Sequence, residues 1–321
     1  MNTTTHLIYA GGTFGSHGVP LSPLPAEIFL PILKKECLAK IPNTAIDILP
    51  TTSVKDSSTL TPSDFVEFYR LILMAYAKGV RRFVLITGTD SLSFLSAFLA
   101  NAFADFTDIS LVITGSMQPL LISNKPTHTI NEISDAWSNL HKSIIATTQH
   151  KGVFVQFHHK LMDAFDTQKL NSQEHDAFIG KLANTALLKT DQTVFNKPLV
   201  AKLAELPTMI DHAKDIQITA IYCLPNDVAN LEYQFDHLSQ QTKAVILIGF
   251  GAGNVPSSQK LIDILKKLQT KKVRVICTTM CAFGGTNDNY MAGAWQYEYG
   301  IEPSKLGVAG IYGQTLWQAL Q

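Results

Sequence analysis

Four residues of this chain have types and settings that could do chemistry together. Thr13 sits in the glycine-rich stretch IYAGGTFGSHG (8–18), Thr89 and Asp90 are adjacent in TGTDS (87–91), and Lys169 ends DAFDTQK (163–169). A hydroxyl is a poor nucleophile until a base removes its proton, so a threonine mechanism needs a lysine, histidine or amine within reach. Lys169 is a candidate, because burial would lower its pKa while Asp90 held it. Two hydroxyls and a carboxylate would then stand where a substrate binds.

Each segment also has a plainer reading. An isolated TGTD is a tight turn with a capping Thr or Asp. On composition and spacing alone, Lys169 reads as a solvated surface lysine. The case for chemistry rests on recurrence: AGGTFGS (10–16), TGTDS (87–91) and TGSMQP (114–119) each follow an expected strand, and VKDSSTLTP (54–62) leads into a helix.

The elements that must position these loops are strands and helices in alternation. HLIYA (6–10), FVLIT (83–87), LVIT (111–114) and VFVQF (153–157) are short β-branched or aromatic runs that end in polar or glycine residues. Thr61 can cap a helix with Pro62 in its first turn and Phe65, Phe68, Leu71 and Ile72 on one face, stopping near Gly79. Further helices are expected over about Leu92–Ala104 and Ile130–Ile145. Strand, turn and helix repeated this way imply a parallel sheet with ligands at the carboxyl ends of its strands.

The pattern weakens after about residue 185 and resumes with ITAIYC (218–223), AVILIGF (244–250) and VRVIC (273–277). The expected fold class is therefore α/β with two α/β domains. The larger N-terminal one, residues 1–188, has a mostly parallel sheet flanked by helices and carries the threonines. Residues 189–212 read as a linker, and 213–321 as a smaller parallel-sheet domain.

Composition narrows the partners. The 321 residues are 46% hydrophobic and 16% charged, with 26 Lys+Arg against 26 Asp+Glu, so the formal net charge is zero. That argues against nucleic acid or an anionic membrane and for a small-molecule substrate. No apolar run reaches the length of a membrane span, and the first residues enter the glycine turn without a signal-type segment, so a cytoplasmic protein is expected. Cys37, Cys223, Cys277 and Cys281 lack paired CxxC spacing and read as core thiols in a reducing compartment. Ten scattered histidines without an HExxH pattern suggest no metal, and no cofactor is expected.

Several separated motifs, in order, resemble the bacterial-type L-asparaginase family, and its cytoplasmic type I branch in particular. IYAGGTFGS resembles the strand and TGGTI-G turn that carries the family's nucleophilic threonine, which falls on Thr13. ITGTDSLSFLSAFL resembles HGTDT and the helix after it, placing Thr89 and Asp90 on the second threonine and the aspartate. VKDSSTLTPSDF is similar to MDSSDMTPEDW, and TGSMQPL to TGSQIPL. Lys169 keeps the spacing to Phe178 seen from the family's lysine to DAF. Later, GFGAGNVP resembles YGVGNAP and CTTMC the type I TQC loop.

The resemblance implies hydrolysis of L-asparagine to L-aspartate and ammonia. Thr13 would attack the amide carbon, backbone N–H groups of a strand-end turn would hold the oxyanion, and glycines 11, 12 and 15 would let the backbone approach substrate. Thr89, Asp90 and Lys169 would form a relay with Lys169 as base. Asp56, Ser57 and Ser58 would bind the amino-acid end, with Gly88 and Ser116 completing the substrate-binding set. A homodimer or homotetramer is implied, the second domain of one subunit closing its neighbour's site.

The chain departs from the family pattern in three places. Relatives carry a tyrosine on the loop after the first threonine; here the loop reads Gly18-Val19-Pro20, and no tyrosine occurs between Tyr9 and Tyr69. His17 reads as a loop residue rather than a replacement. Met117-Gln118 stands for Gln-Ile, and GGTNDNYMAG (284–293) offers only Asp288 for an acidic residue some relatives use. The competing reading is an asparaginase-like amino-acid-binding protein impaired in catalysis. A dinucleotide enzyme fails because AGGTFGSHG is not GxGxxG, and an α/β-hydrolase because no GxSxG elbow is present.

Overall fold

The structure is a computed structural model that describes residues 4–51, 54–125, 128–183, 197–282, 284–287 and 291–321. The chain divides into two compact units, Met1–Ile210 and Asp211–Gln321.

In the first unit β1 (Thr5–Tyr9) is followed by a small hairpin of β2 (Ser16–His17) and β3 (Ser22–Pro23). The main strands are then β4 (Ile46–Ile48), β5 (Arg82–Ile86), β6 (Ser110–Thr114), β7 (Gly152–Phe157) and β8 (Lys160–Asp163). They form one sheet in the order β4-β1-β5-β6-β7-β8, parallel except for the antiparallel edge strand β8. Near-continuous apolar runs in β1, β5 and β6 follow from burial on both faces, as a parallel sheet requires.

Alternate side chains serve the two faces. Leu7, Tyr9, Val84 and Ile86 pack with Phe29 and Leu33 of α1 (Ala26–Lys40) and Leu140 and Ile144 of α4 (Asp135–Gln149). α2 (Pro62–Ala77) and α3 (Leu92–Ala102) pack against each other through Phe65 and Phe98, ring centroids 5.8 Å apart, and α3 lies on β6 and β7. Each such aromatic or leucine, fully buried, contributes about 1.5–3 kcal/mol, so the strand ends that carry the loops are held firmly.

Helix starts follow their caps. The Asp64 carboxylate accepts from the Thr61 N–H and hydroxyl at 2.9 and 2.8 Å, setting the start of α2. α4 begins at Asp135, five residues later than its apolar pattern suggests, because Ser134 caps it, accepting from the Ala136 N–H at 3.0 Å. Ile130 instead bridges Leu121.

The short strands β9 (Gln168–Lys169) and β10 (Phe178–Ile179) pair antiparallel. Residues 189–196 of the expected linker lie outside the described residues, but from Leu199 onward it is helical: α5 spans Leu199–His212. Leu206 and Met209 are buried there, and the buried Lys202 pairs with Asp105 at 3.0 Å. Pro207 within the helix and a charge at a buried position hid the helical pattern from the sequence.

The second unit has a parallel sheet in the order β11 (Gln217–Tyr222), β12 (Thr242–Gly249), β13 (Arg274–Thr279) and β14 (Ile301–Pro303). Its helices are α6 (Val228–Asp236), α7 (Gln259–Thr270), α8 (Met291–Glu298) and α9 (Val308–Ala319). Val245 and Leu247 face a core with Leu261 and Leu265 of α7, while Ile246 and Ile248 face Ile311 of α9. The two α/β layers match the fold class expected.

Candidate active site

β1 and β5 are parallel neighbours, with Tyr9 beside Ile86, so the loops leaving their carboxyl ends emerge side by side. The contact between those loops is backbone against backbone. Gly12 has φ +77°, and a β-carbon there would overlap Cα and N of Gly88. A β-carbon on Gly88 would in turn overlap Oγ of Ser57. Lys55 joins the third segment: its N–H donates to the Ala10 carbonyl at 3.0 Å and its carbonyl accepts from the Gly12 N–H at 3.2 Å. Three separate loops thereby become one rigid floor.

Thr13 stands on that floor, half-buried, at the start of a single 3-10 turn (Thr13–Gly15). Phe14 anchors the turn edge-on against Phe29, and the Ser16 hydroxyl donates to the Gly12 carbonyl at 2.9 Å. The Thr13 hydroxyl has no hydrogen-bond partner among the described residues. Gly15 lies over the ring of Tyr9, and Gly11 against the Lys55 backbone. Glycines 11, 12 and 15 each have the Cβ position filled by this chain's own atoms, and Gly11 and Gly12, with φ +102° and +77°, hold the conformations expected to forbid a side chain.

Lys169 and Asp90, 79 residues apart in sequence, meet here. The Lys169 ammonium donates to Oγ1 of Thr89 at 2.8 Å and to Oδ1 of Asp90 at 3.0 Å. Thr89 is 7% exposed, and the Lys169 side chain 23%. The lysine is held from behind. It lies on β9, paired with Phe178, after a 3-10 turn (Ala164–Asp166) that packs on α3. In that turn the Thr167 hydroxyl donates to the Asp163 carbonyl at 2.7 Å, and the Asp163 carboxylate accepts from the Phe165 N–H at 2.9 Å. Burial raises the pKa of Asp163 above the ordinary carboxylate range, against that hydrogen bond and Lys181.

The DSS segment is ordered toward the same place. The Ser57 hydroxyl oxygen accepts from the Asp90 N–H at 3.2 Å, and the Ser57 carbonyl accepts from the Ser91 hydroxyl at 2.7 Å. The exposed Asp56 carboxylate accepts from the N–H and hydroxyl of Ser58. Behind them Lys55 donates to Asp64 at 2.6 Å. Burial pushes the Asp64 pKa up, but hydrogen bonds from Lys55 and Thr61 outweigh it and hold the group below its ordinary value.

Ser116 does not join the group. It is fully buried, and its hydroxyl donates to the Gln118 carbonyl at 2.6 Å, inside its own turn. Strand-end position was visible in the sequence, but the direction of the side chain was not.

Asp135 and Asn139, which sequence reasoning missed, fix the TGSMQP loop. The Asp135 carboxylate accepts from the N–H groups of Met117 (2.9 Å) and Gln118 (3.0 Å) and from the Asn139 amide (3.0 Å). The Asn139 amide also donates to the Gly115 carbonyl at 3.0 Å. The signal that could have found them is the pair Ser134-Asp135 at a helix start, with Asn139 one turn on. Asp135 holds the loop through the backbone N–H groups of Met117 and Gln118, not through their side chains.

Nε2 of His17 donates to the Lys125 carbonyl at 3.1 Å, and its ring meets His128 edge-on at 5.2 Å, so it is tied to the neighbouring loop. The Tyr9 phenol is buried, donates to the Leu24 carbonyl at 3.3 Å, and has its pKa raised by desolvation. Neither makes a hydrogen bond to Thr13. Asp288 lies outside the described residues. Among the described residues no group of three or more His, Cys, Asp and Glu could hold a metal, and no helix is long and apolar enough to cross a membrane.

In the second unit, the loops after β12 and β13 are laced together: the Met280 N–H donates to the Gly249 carbonyl at 3.2 Å, and the Thr279 hydroxyl to the Gly251 carbonyl. Cys37, Cys223 and Cys277 are buried free thiols, whereas Cys281 is exposed, contrary to its reading as a core thiol.

Comparison with known proteins agrees with this fold. Residues 4–200 match the family model "Asparaginase, N-terminal". The chain is 26% identical over 256 residues to an L-asparaginase of Thermococcus kodakarensis, covering 78% of this chain and 72% of that one. It is 27% identical over 311 residues to one polypeptide of the glutamyl-tRNA(Gln) amidotransferase of Nanoarchaeum equitans, covering 93% of this chain and 72% of that one. The crystal structure of L-asparaginase I from Vibrio cholerae superposes with a TM-score of 0.72 at 19% identity, covering 99% of this chain and 93% of that one. The family model spans more than half of the chain, and the protein belongs to the asparaginase family.

Proposed function

We propose that the protein is an L-asparagine amidohydrolase with Thr13 as nucleophile. The observation that carries the reading is the contact of the Lys169 ammonium with both the Thr89 hydroxyl and the Asp90 carboxylate, across loops that backbone contacts lock to the Thr13 turn.

In this reading Thr13 Oγ1 attacks the side-chain amide carbon and its proton passes through the Thr89 hydroxyl to Lys169 in its neutral amine form. The tetrahedral oxyanion is met by backbone N–H groups of a strand-end loop. Proton return to nitrogen lets the C–N bond break and ammonia leave, and water then hydrolyses the threonyl ester to give aspartate. Asp90 orients Lys169 through one oxygen and meets the substrate ammonium with the other. Asp56, Ser57, Ser58 and Gly88 receive the rest of the amino-acid end. No metal or cofactor takes part. We place the enzyme in the cytoplasm, as a homodimer or homotetramer, on the strength of its free thiols and its resemblance to the type I branch.

The lack of a tyrosine between residues 9 and 69 favours a second reading, an amino-acid-binding protein impaired in catalysis. One assay series separates the two: ammonia release from asparagine and from glutamine by the parent, Thr13→Ala, Thr89→Val and Lys169→Met. Release by the parent that is lost in Thr13→Ala supports the hydrolase. Stabilisation by asparagine or aspartate without ammonia supports the binding protein. Activity retained in Thr13→Ala overturns the mechanism.

A further inference from the structure

Outside the candidate active site, the first unit carries a cleft of about 340 Å³ between α4 and the β7–β8 hairpin. Ile145, Leu161 and Leu182 give it an apolar wall, and Lys142, His159 and Lys160 line it with cationic and imidazole groups. These charges are unequally compensated. Lys160 is paired with Asp176 at 2.7 Å. Lys142 has no carboxylate within ion-pair distance among the described residues; its ammonium donates to the His158 carbonyl at 2.9 Å and lies 3.0 Å from Nδ1 of His159. If that nitrogen accepts, the His159 Nε2 carries a proton and is a further donor.

The hairpin turn holds these groups in a conformation with a cost. His158 has φ +51°, a position where a two-residue hairpin loop favours Gly, Asn or Asp. Three hydrogen bonds keep it there: its N–H donates to Asn139 Oδ1 at 2.9 Å, and its carbonyl accepts from Lys142 and from the Gln156 amide. A strained backbone persists only where its surroundings over-determine it, and here the result is a cationic edge beside an apolar wall.

We propose that this cleft binds a small aliphatic carboxylate that carries no ammonium group. The carboxylate sits on Lys142 and His159, and the hydrocarbon lies over Ile145, Leu161 and Leu182. An α-amino acid is disfavoured because its ammonium would meet Lys142 and Lys160, while Asp176 is already engaged by Lys160. A bare inorganic anion would leave the apolar wall unused, whereas each methylene buried against it strengthens binding by about fourfold.

The test is calorimetric titration of the full-length protein at neutral pH with hexanoate, acetate, hexylamine and inorganic phosphate. Hexanoate should bind saturably and at least about tenfold more tightly than acetate, with no binding of hexylamine. Lys142→Met, which removes the charge, and Ile145→Glu, which places a carboxylate at an exposed position of the apolar wall without touching the turn, should each weaken hexanoate by about tenfold or more. Thr13→Ala should bind hexanoate like the parent. Circular dichroism melting checks that the variants fold. The proposal is overturned by absence of saturation, by hexylamine binding as well as hexanoate, by phosphate binding more tightly, or by hexanoate affinity unchanged in both cleft variants.

Discussion

The backbone of Gly88 occupies the space in which Gly12 would need a side chain, and the Ser57 side chain occupies the corresponding space at Gly88. The approach of Gly12 to Gly88 joins the loop that carries Thr13 to the loop that carries Thr89 and Asp90. Thr13→Ala tests the chemistry; the contact between the glycines tests the scaffold.

Gly12→Ala should therefore cost more than an ordinary loop substitution. The new methyl meets Gly88 backbone that cannot swing away, at a φ of +77° that an L side chain adopts only with strain. A loss of about 2–4 kcal/mol is expected, read as a lower urea midpoint with unchanged slope, together with loss of amide hydrolysis. A variant as stable as the parent would show that the two loops can separate.

Lys169→Met should leave stability nearly unchanged, because its carboxylate partner is largely exposed and such pairs contribute little. Ammonia release should fall about 10²–10⁴-fold, the range for a positioned proton-transfer group. Lys169→Arg keeps the charge but not the compact amine beside Thr89, so it should restore binding of aspartate better than turnover. Equal activity in the parent and Lys169→Met would remove lysine from the mechanism.

Asp64 supplies a pH signature of the scaffold. Its pKa is depressed in the folded protein, so it contributes stability at pH values above the unfolded carboxylate value, and that contribution is lost as pH falls through the lower folded value. Asp64→Asn should then be less stable than the parent by about 1 kcal/mol near pH 7, allowing for screening at the half-exposed Lys55. The gap should close below about pH 4. Parallel stability curves down to pH 2 would contradict this assignment.

Asp135→Ala removes the acceptor of two loop N–H groups and of the buried Asn139 amide. The unmet donors should cost about 3 kcal/mol, and amide exchange at Met117 and Gln118 should accelerate before the global unfolding limit is reached. Protection at those two amides equal to the parent's would show that the loop does not depend on Asp135.

The candidate site residues were largely legible in the sequence, since a short apolar run ending in glycine and threonine is a local signal. The alternation of strands and helices was local too, and so were the Thr61 and Asp64 start of α2 and the loop positions of Thr13, Thr89 and Asp90. The chain order alone could not decide which distant segments meet. Lys169 against Thr89, Gly12 against Gly88 and Asp135 beneath Met117 are contacts between residues distant in sequence: the parallel pairing of β1 and β5 sets the two glycine loops side by side, and the turn before β9, packed on α3, brings Lys169 to Thr89. Tertiary structure likewise turned Ser116 inward and made a helix of Leu199–His212, where packing of Leu206 and Met209 outweighed two local features, Pro207 and Lys202, that argue against one. Local pattern marked the candidate residues, and burial and backbone contact decided which of them meet.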